Sequence, residues 1–137
     1  MKFTVLMAAV LLTATGAQAA DTLAKIAASN KITMAYRESS VPFSYLDGPS
    51  KPIGFSVELS NAIFAAVKTK LNKPGLESGW MAVTSQNRIP LLQNGTIDLE
   101  CGSTTNNTAR GKDVAFAINH FYTGTRLLVK TNSGIKN

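Results

Sequence analysis

The tightest constraint on this chain is a hydrophobic period that switches back and forth along it. Lys31 to Arg37 alternates, with Ile32, Met34 and Tyr36 on one side, as a strand requires. From Ser56 to about Asn72 the period lengthens to that of a helix: Leu59, Ile63, Val67 and Leu71 share one face, and Phe64 widens it. Ser56 can cap that helix, and Lys73-Pro74-Gly75 ends it. Trp80 to Val83 reads as a strand, and Thr84 or Ser85 opens a helix that finishes at Asn94-Gly95. Ile97 to Cys101 is a strand again. This alternation predicts an α/β lobe, a mostly parallel sheet flanked by helices.

The remaining segments fill in that outline. Leu23 to Ser29 reads as a leading helix capped by Asp21 or Thr22. Pro42 through Gly54 holds Asp47-Gly48, Pro49 and Pro52, the composition of a loop or hairpin tip. Pro90 removes a backbone donor inside its helix and predicts a bend there. A helical turn is expected near Ala109 to Lys112, with strands at Val114 to Phe116 and Thr125 to Lys130. No repeat or low-complexity stretch breaks the pattern.

The first twenty residues stand outside it. Lys2 precedes a short apolar run from Phe3 to Leu12, and Ala17-Gln18-Ala19 offers the small-x-small pattern of a signal-peptidase site. A cut after Ala19 leaves 118 of the 137 residues, the length of one domain. The apolar run is too short to span a bilayer. The formal charge of +6 falls to +5 when Lys2 is removed, and it is spread thinly. Without a basic block or stripe, nucleic-acid binding is disfavoured. Export makes the lone Cys101 notable: a buried inert thiol is the first reading, a partner further along the protein the second, and catalytic use a distant third.

Ligands of open α/β sheets collect beyond the carboxyl ends of the strands. Three polar segments fall there: Arg37-Glu38-Ser39-Ser40, Thr84-Ser85-Gln86-Asn87-Arg88 and Gly102-Ser103-Thr104-Thr105. Turns and helix starts present N–H groups to an anion, arginine adds a planar two-pronged donor, and hydroxyls serve carboxylate or ammonium alike. Taken singly, each has a plainer explanation as a cap, a turn or a solvated charge. Their convergence on one edge points to a carboxylate or zwitterion site.

Longer motifs carry a resemblance. The runs Arg37-Glu38-Ser39-Ser40-Val41-Pro42-Phe43-Ser44-Tyr45 and Gly54-Phe55-Ser56-Val57-Glu58-Leu59 resemble the opening of the family 3 periplasmic solute-binding proteins. Residues 84–95, residues 100–107 and Gly124-Thr125-Arg126-Leu127-Leu128 narrow the likeness to the glutamate/aspartate-binding branch. The resemblance implies a periplasmic-binding-protein-like II fold, of which residues 20–130 form lobe 1 and residues 131–137 begin the crossover to a second lobe that this chain lacks. It implies that Arg88 grips the ligand α-carboxylate, assisted by Thr105, and that Ser103 helps hold the ammonium group. It implies further that Arg37 meets the side-chain carboxylate and that Ser85 lines the same pocket. Ser56 stands where the wider family commonly has Asp, and Asn119-His120 departs from a local turn.

The implied function is periplasmic binding of glutamate or aspartate for delivery to the permease of an ABC importer, with contact to the membrane only through that permease. No catalytic residue, cofactor or metal is implied. With only one wall of the cleft, the chain is expected to bind no more tightly than the millimolar scale. An enzyme on the same fold, dehydratase-like, is one alternative. It needs a poised acid or base, and Glu38 and Glu100 are the carboxylates near the edge, neither with a titrating partner evident in the sequence. A sensory lobe of a receptor is the other. Glu58 and Asp98 read as surface or capping groups.

Overall fold

The structure, a computed structural model, describes residues 21–124 and 126–135. The expected signal segment, residues 1–19, lies outside them. Helix α1 (Thr22–Ser29) opens on Asp21, whose carboxylate accepts from the amides of Leu23 and Ala24 at 3.0 and 3.4 Å. It closes on Asn30 in the left-handed conformation. Strand β1 (Lys31–Tyr36) follows at once. Next come three short strands, β2 (Ser39–Ser40), β3 (Ser44–Asp47) and β4 (Lys51–Ile53), then helix α2 (Phe55–Lys70). Strand β5 (Glu77–Ala82), helix α3 (Arg88–Gln93), strand β6 (Leu99–Glu100) and a 3-10 turn at Arg110–Lys112 complete the order.

Two sheets result. In the first, β1 lies between β5 and β6 and pairs parallel with both, Met34 facing Trp80 on one side and Leu99 on the other. The second is antiparallel, β2-β3-β4, so the expected hairpin tip is a small meander of its own. Ser44 joins the two sheets. Its hydroxyl accepts from the Arg37 amide at 2.7 Å and donates to the Arg37 carbonyl at 2.9 Å, in a site where Ser44 is 1% exposed.

A central parallel strand must be covered on both faces, and β1 is. Ile32 and Met34 point toward α1 and α2, forming a core with Ile26 and Leu76 that Phe64, Val67 and Leu71 flank. Ala35 faces the other way, against Val83 and Ile97, with Leu91 and Leu92 of α3 packed on them. The α/β lobe expected from the alternation is therefore present.

Several local expectations are corrected. Ser56 does not cap α2: the helix begins one residue earlier, because the Phe55 and Ser56 amides donate to the carbonyls of Pro42 and Phe43 at 3.1 and 2.8 Å. Ser56 turns inward instead, and the deepest face of α2 carries Ser56, Val57 and Ser60 while Leu59, Ile63 and Val67 are half-buried. The α3 helix starts at Arg88, later than Thr84 or Ser85. Residues 84–87 form a turn in which the Asn87 side chain accepts from the Thr84 amide and the Thr84 hydroxyl accepts from the Gln86 and Asn87 amides. Pro90 thus falls in the first turn, where a missing N–H costs nothing and no bend is needed. Strand β6 is shorter than Ile97 to Cys101. No strand forms at Val114 to Phe116 or among residues 126–130; strands need a hydrogen-bonded neighbour, and these stretches have none among the described residues. Thr125 itself lies outside the described residues.

Asp98 is also not a surface or capping group. Its side chain is 3% exposed and accepts from Lys25 Nζ at 2.7 Å and from the Thr33 amide at 2.8 Å. Among the described residues, no helix is long and apolar enough to cross a membrane.

Candidate functional site

Parallel pairing of β5, β1 and β6 brings three chain segments to one edge, since neighbouring parallel strands end side by side. Arg37 follows β1, the Thr84–Asn87 turn follows β5, and Cys101 to Asn106 follow β6. The antiparallel sheet adds Phe43 from the loop between β2 and β3.

On one side of this rim, Arg37 Nη1 donates to the Ser85 hydroxyl at 3.0 Å. Arg88, the first residue of α3, is only 5% exposed, so its guanidinium is nearly sealed. Its Nη1 lies 3.7 Å from Glu100 Oε1, and the two side chains are 6% and 5% exposed. That distance gives attraction without a hydrogen bond. Arg88 Nε and Nη1 and Glu100 Oε1 have no hydrogen-bond partner. Burial pulls the Arg88 guanidinium below the ordinary arginine value; Glu100 opposes this, while repulsion from Arg37 and Arg110 adds to it. Arg88 therefore lies within electrostatic reach of both other arginines.

On the other side, Arg110 of the 3-10 turn donates through Nη1 to the Thr105 carbonyl at 3.0 Å. Glu100 Oε2 accepts from the Thr104 hydroxyl at 2.8 Å, tying the buried carboxylate to the polar turn. That turn borders a cleft of about 230 Å³ lined by Phe43, residues 102–106 and residues 119–123. Phe43 and Phe121 meet edge to face in its wall, with ring centres 4.8 Å apart. His120 is exposed and lies 5.8 Å from the Phe55 ring.

Of the five residues singled out in the sequence, Ser103 and Thr105 line the cleft, and Arg37, Ser85 and Arg88 do not. Glu100 and Thr104 bridge the two groups. Sequence reasoning missed Arg110, although an arginine in the first helical turn after a polar run was a readable signal. It also left Glu100 without a partner, whereas the structure sets it against Arg88. A glutamate set between Leu99 and Cys101 asks for a counter-ion, and that signal was available.

Cys101 is buried and unpaired, and burial pushes its thiol up; the Ser60 hydroxyl opposes this and Glu100 adds to it. Among the described residues, no group of three or more His, Cys, Asp or Glu is placed to hold a metal ion.

An α/β lobe with clustered cationic and hydroxyl groups at the carboxyl ends of parallel strands has the architecture of a small-ligand-binding domain. Residues 32–136 match the family model for bacterial extracellular solute-binding proteins, family 3, and the chain belongs to that family. The "Glutamate/aspartate import solute-binding protein" of Escherichia coli (strain K12) is 58% identical over 118 residues, covering 86% of this chain and 39% of the relative. The "L-glutamate/L-aspartate-binding protein" of Pseudomonas aeruginosa is 53% identical over 116 residues, covering 84% and 38%. The chain thus spans about two fifths of the length of the curated relatives it matches. A crystal structure of a mutant of the arginine-bound form of domain 1 from TmArgBP superposes with a TM-score of 0.61 at 24% identity, covering 72% of this chain and 71% of that one. This likeness concerns the fold.

Proposed function

We propose that residues 20–130 are the first ligand-binding lobe of an exported protein that captures glutamate or aspartate in the periplasm for an ABC import permease. In this reading residues 1–19 are the signal peptide and residues 131–137 lead toward a second lobe. The observation that carries it is the charge balance at the rim. Arg88 lies within electrostatic reach of both Arg37 and Arg110, with the buried carboxylate of Glu100 against it. A local excess of positive charge facing hydroxyls suits a ligand with two carboxylates and one ammonium group. The relatives named for glutamate and aspartate support the same choice.

The contacts suggest how the groups divide. Arg37, Ser85 and Arg88 act together on one carboxylate, since Arg37 and Ser85 are already hydrogen-bonded and Arg88 lies within electrostatic reach of Arg37. Arg110 acts with Thr105 and Ser103 on the amino-acid head. This grouping moves Arg88 from the α-carboxylate, its role by resemblance, to the side-chain carboxylate. Phe43 and Phe121 supply the apolar wall. Binding of this kind requires no catalyst, cofactor or metal, and the reading is of a carrier rather than an enzyme.

Titration of glutamate, aspartate and glutamine into the chain tests this, followed through the arginine side-chain Nε–Hε signals by NMR. The acids are expected to shift the Arg37, Arg88 and Arg110 signals at lower concentration than glutamine does. Preference for glutamine, or no response to either acid, overturns the proposal.

A further inference from the structure

Glu100 is a carboxylate placed where an apolar residue would be cheaper. It ends β6 with its side chain 5% exposed, and only Oε2 has a hydrogen bond, from the Thr104 hydroxyl at 2.8 Å. Oε1 is unpartnered and faces the equally unpartnered Arg88 Nη1 across 3.7 Å. An ion pair with this geometry recovers little of its desolvation cost, so fold stability is a poor account of it. The neighbouring Gly102 makes room for the carboxylate, because a Cβ at Gly102 would collide with Glu100 Oε1. A side chain at Gly102 would therefore push the carboxylate aside.

Resting on the acidic-ligand reading of the rim, we infer that Glu100 is a positioning residue: its buried carboxylate fixes the Arg88 guanidinium and the Thr104 turn relative to each other, and so sets the preference of the site for acidic over amide ligands. Arg88 is nearly sealed and is repelled by Arg37 and Arg110. Glu100 is the acidic side chain that holds it against that repulsion. Through Thr104 the same carboxylate anchors the turn that carries Ser103 and Thr105 to the cleft. Loss of the negative charge lets Arg88 move outward, so its donors no longer meet a ligand carboxylate in register with the turn.

The test has a ligand-free arm and a binding arm. In the ligand-free chain, the Arg88 Nε–Hε signal is expected to move or broaden in Glu100→Gln and in Gly102→Ala, which keeps the carboxylate but displaces it. Circular dichroism confirms that each variant is folded, and if Glu100→Gln fails to fold, Gly102→Ala carries the arm alone. In the binding arm, Glu100→Gln is expected to weaken glutamate by about tenfold or more and to lower its preference over glutamine. Thr104→Val, which removes one contact and no charge, is expected to fall between wild type and Glu100→Gln. An unchanged Arg88 signal in the folded variants, or equal losses for glutamate and glutamine, overturns the inference. A wild-type chain that ignores both acids while its Arg88 signal still depends on Glu100 instead removes the functional reading and leaves the positioning role standing.

Discussion

At Asp98 one carboxylate ties together three parts of the chain that are far apart in sequence. It accepts from Lys25 on α1 and from the Thr33 amide in β1, while its own segment leads into β6. The sequence offered a lone acid after a polar turn, which suits a surface group equally well; only the return of the strand beside Thr33 gives it a partner. Asp98→Ala leaves the Thr33 N–H without an acceptor, and is expected to lower unfolding stability by about 1–3 kcal/mol. Urea denaturation followed by tryptophan fluorescence checks this, since Trp80 sits in the neighbouring strand β5. The same limit hid the Arg88–Glu100 pair. Each residue was visible as a polar group at a strand or helix end, but their separation is a property of the pairing of β1 with β5 and β6. Arg37, Ser103 and Thr105 were easier to find because polar residues directly after a parallel strand reach the rim by topology alone.

Elements with a strong internal period were legible. The α2 helix and the β1 strand lie close to where their apolar spacing puts them, but α2 ends at Lys70, ahead of Lys73-Pro74-Gly75, where Leu71 caps it and Asn72 turns left-handed at φ 51°. Capping by a distant backbone was not legible, because carbonyls leave no mark in the sequence. Gly54 is where this matters most. Its φ is +114°, and a Cβ there would stand 2.6 Å from the Phe43 carbonyl oxygen and 2.7 Å from that of Pro42, the two groups that receive the first α2 amides. Gly54→Ala is expected to cost about 2–3 kcal/mol, through both backbone strain and displacement of those carbonyls. Thermal unfolding measures the loss, and a midpoint equal to wild type would contradict it. The expected strands at Val114 to Phe116 and among residues 126–130 failed for the complementary reason: β-branched and apolar residues permit an extended chain, but a partner is what makes it a strand.

At the scale of the molecule, apolar exposure among the described residues is concentrated toward residues 118–135. Ile118 is 94% exposed, Leu127 84% and Leu128 102%, whereas the cores on both faces of β1 are closed. Contiguous exposed apolar side chains favour association in water. Replacing Leu127 and Leu128 together by lysine is expected to reduce self-association in sedimentation velocity and to leave the thermal midpoint unchanged. A fall in the midpoint would mean that these leucines pack on the core.

The Ser44 hydroxyl has a consequence for how such a lobe can vary. One oxygen serves as acceptor for an amide and donor to a carbonyl of the same residue, a double duty that side chains lacking a hydroxyl of that reach do not reproduce. Arg37 is therefore pinned from behind by its main chain while its guanidinium is left to reach toward Ser85. Drift that loosens the little meander would reach Arg37 through this junction and the cleft wall through Phe43, so the outer sheet is free to diversify in its turns but not at its attachments.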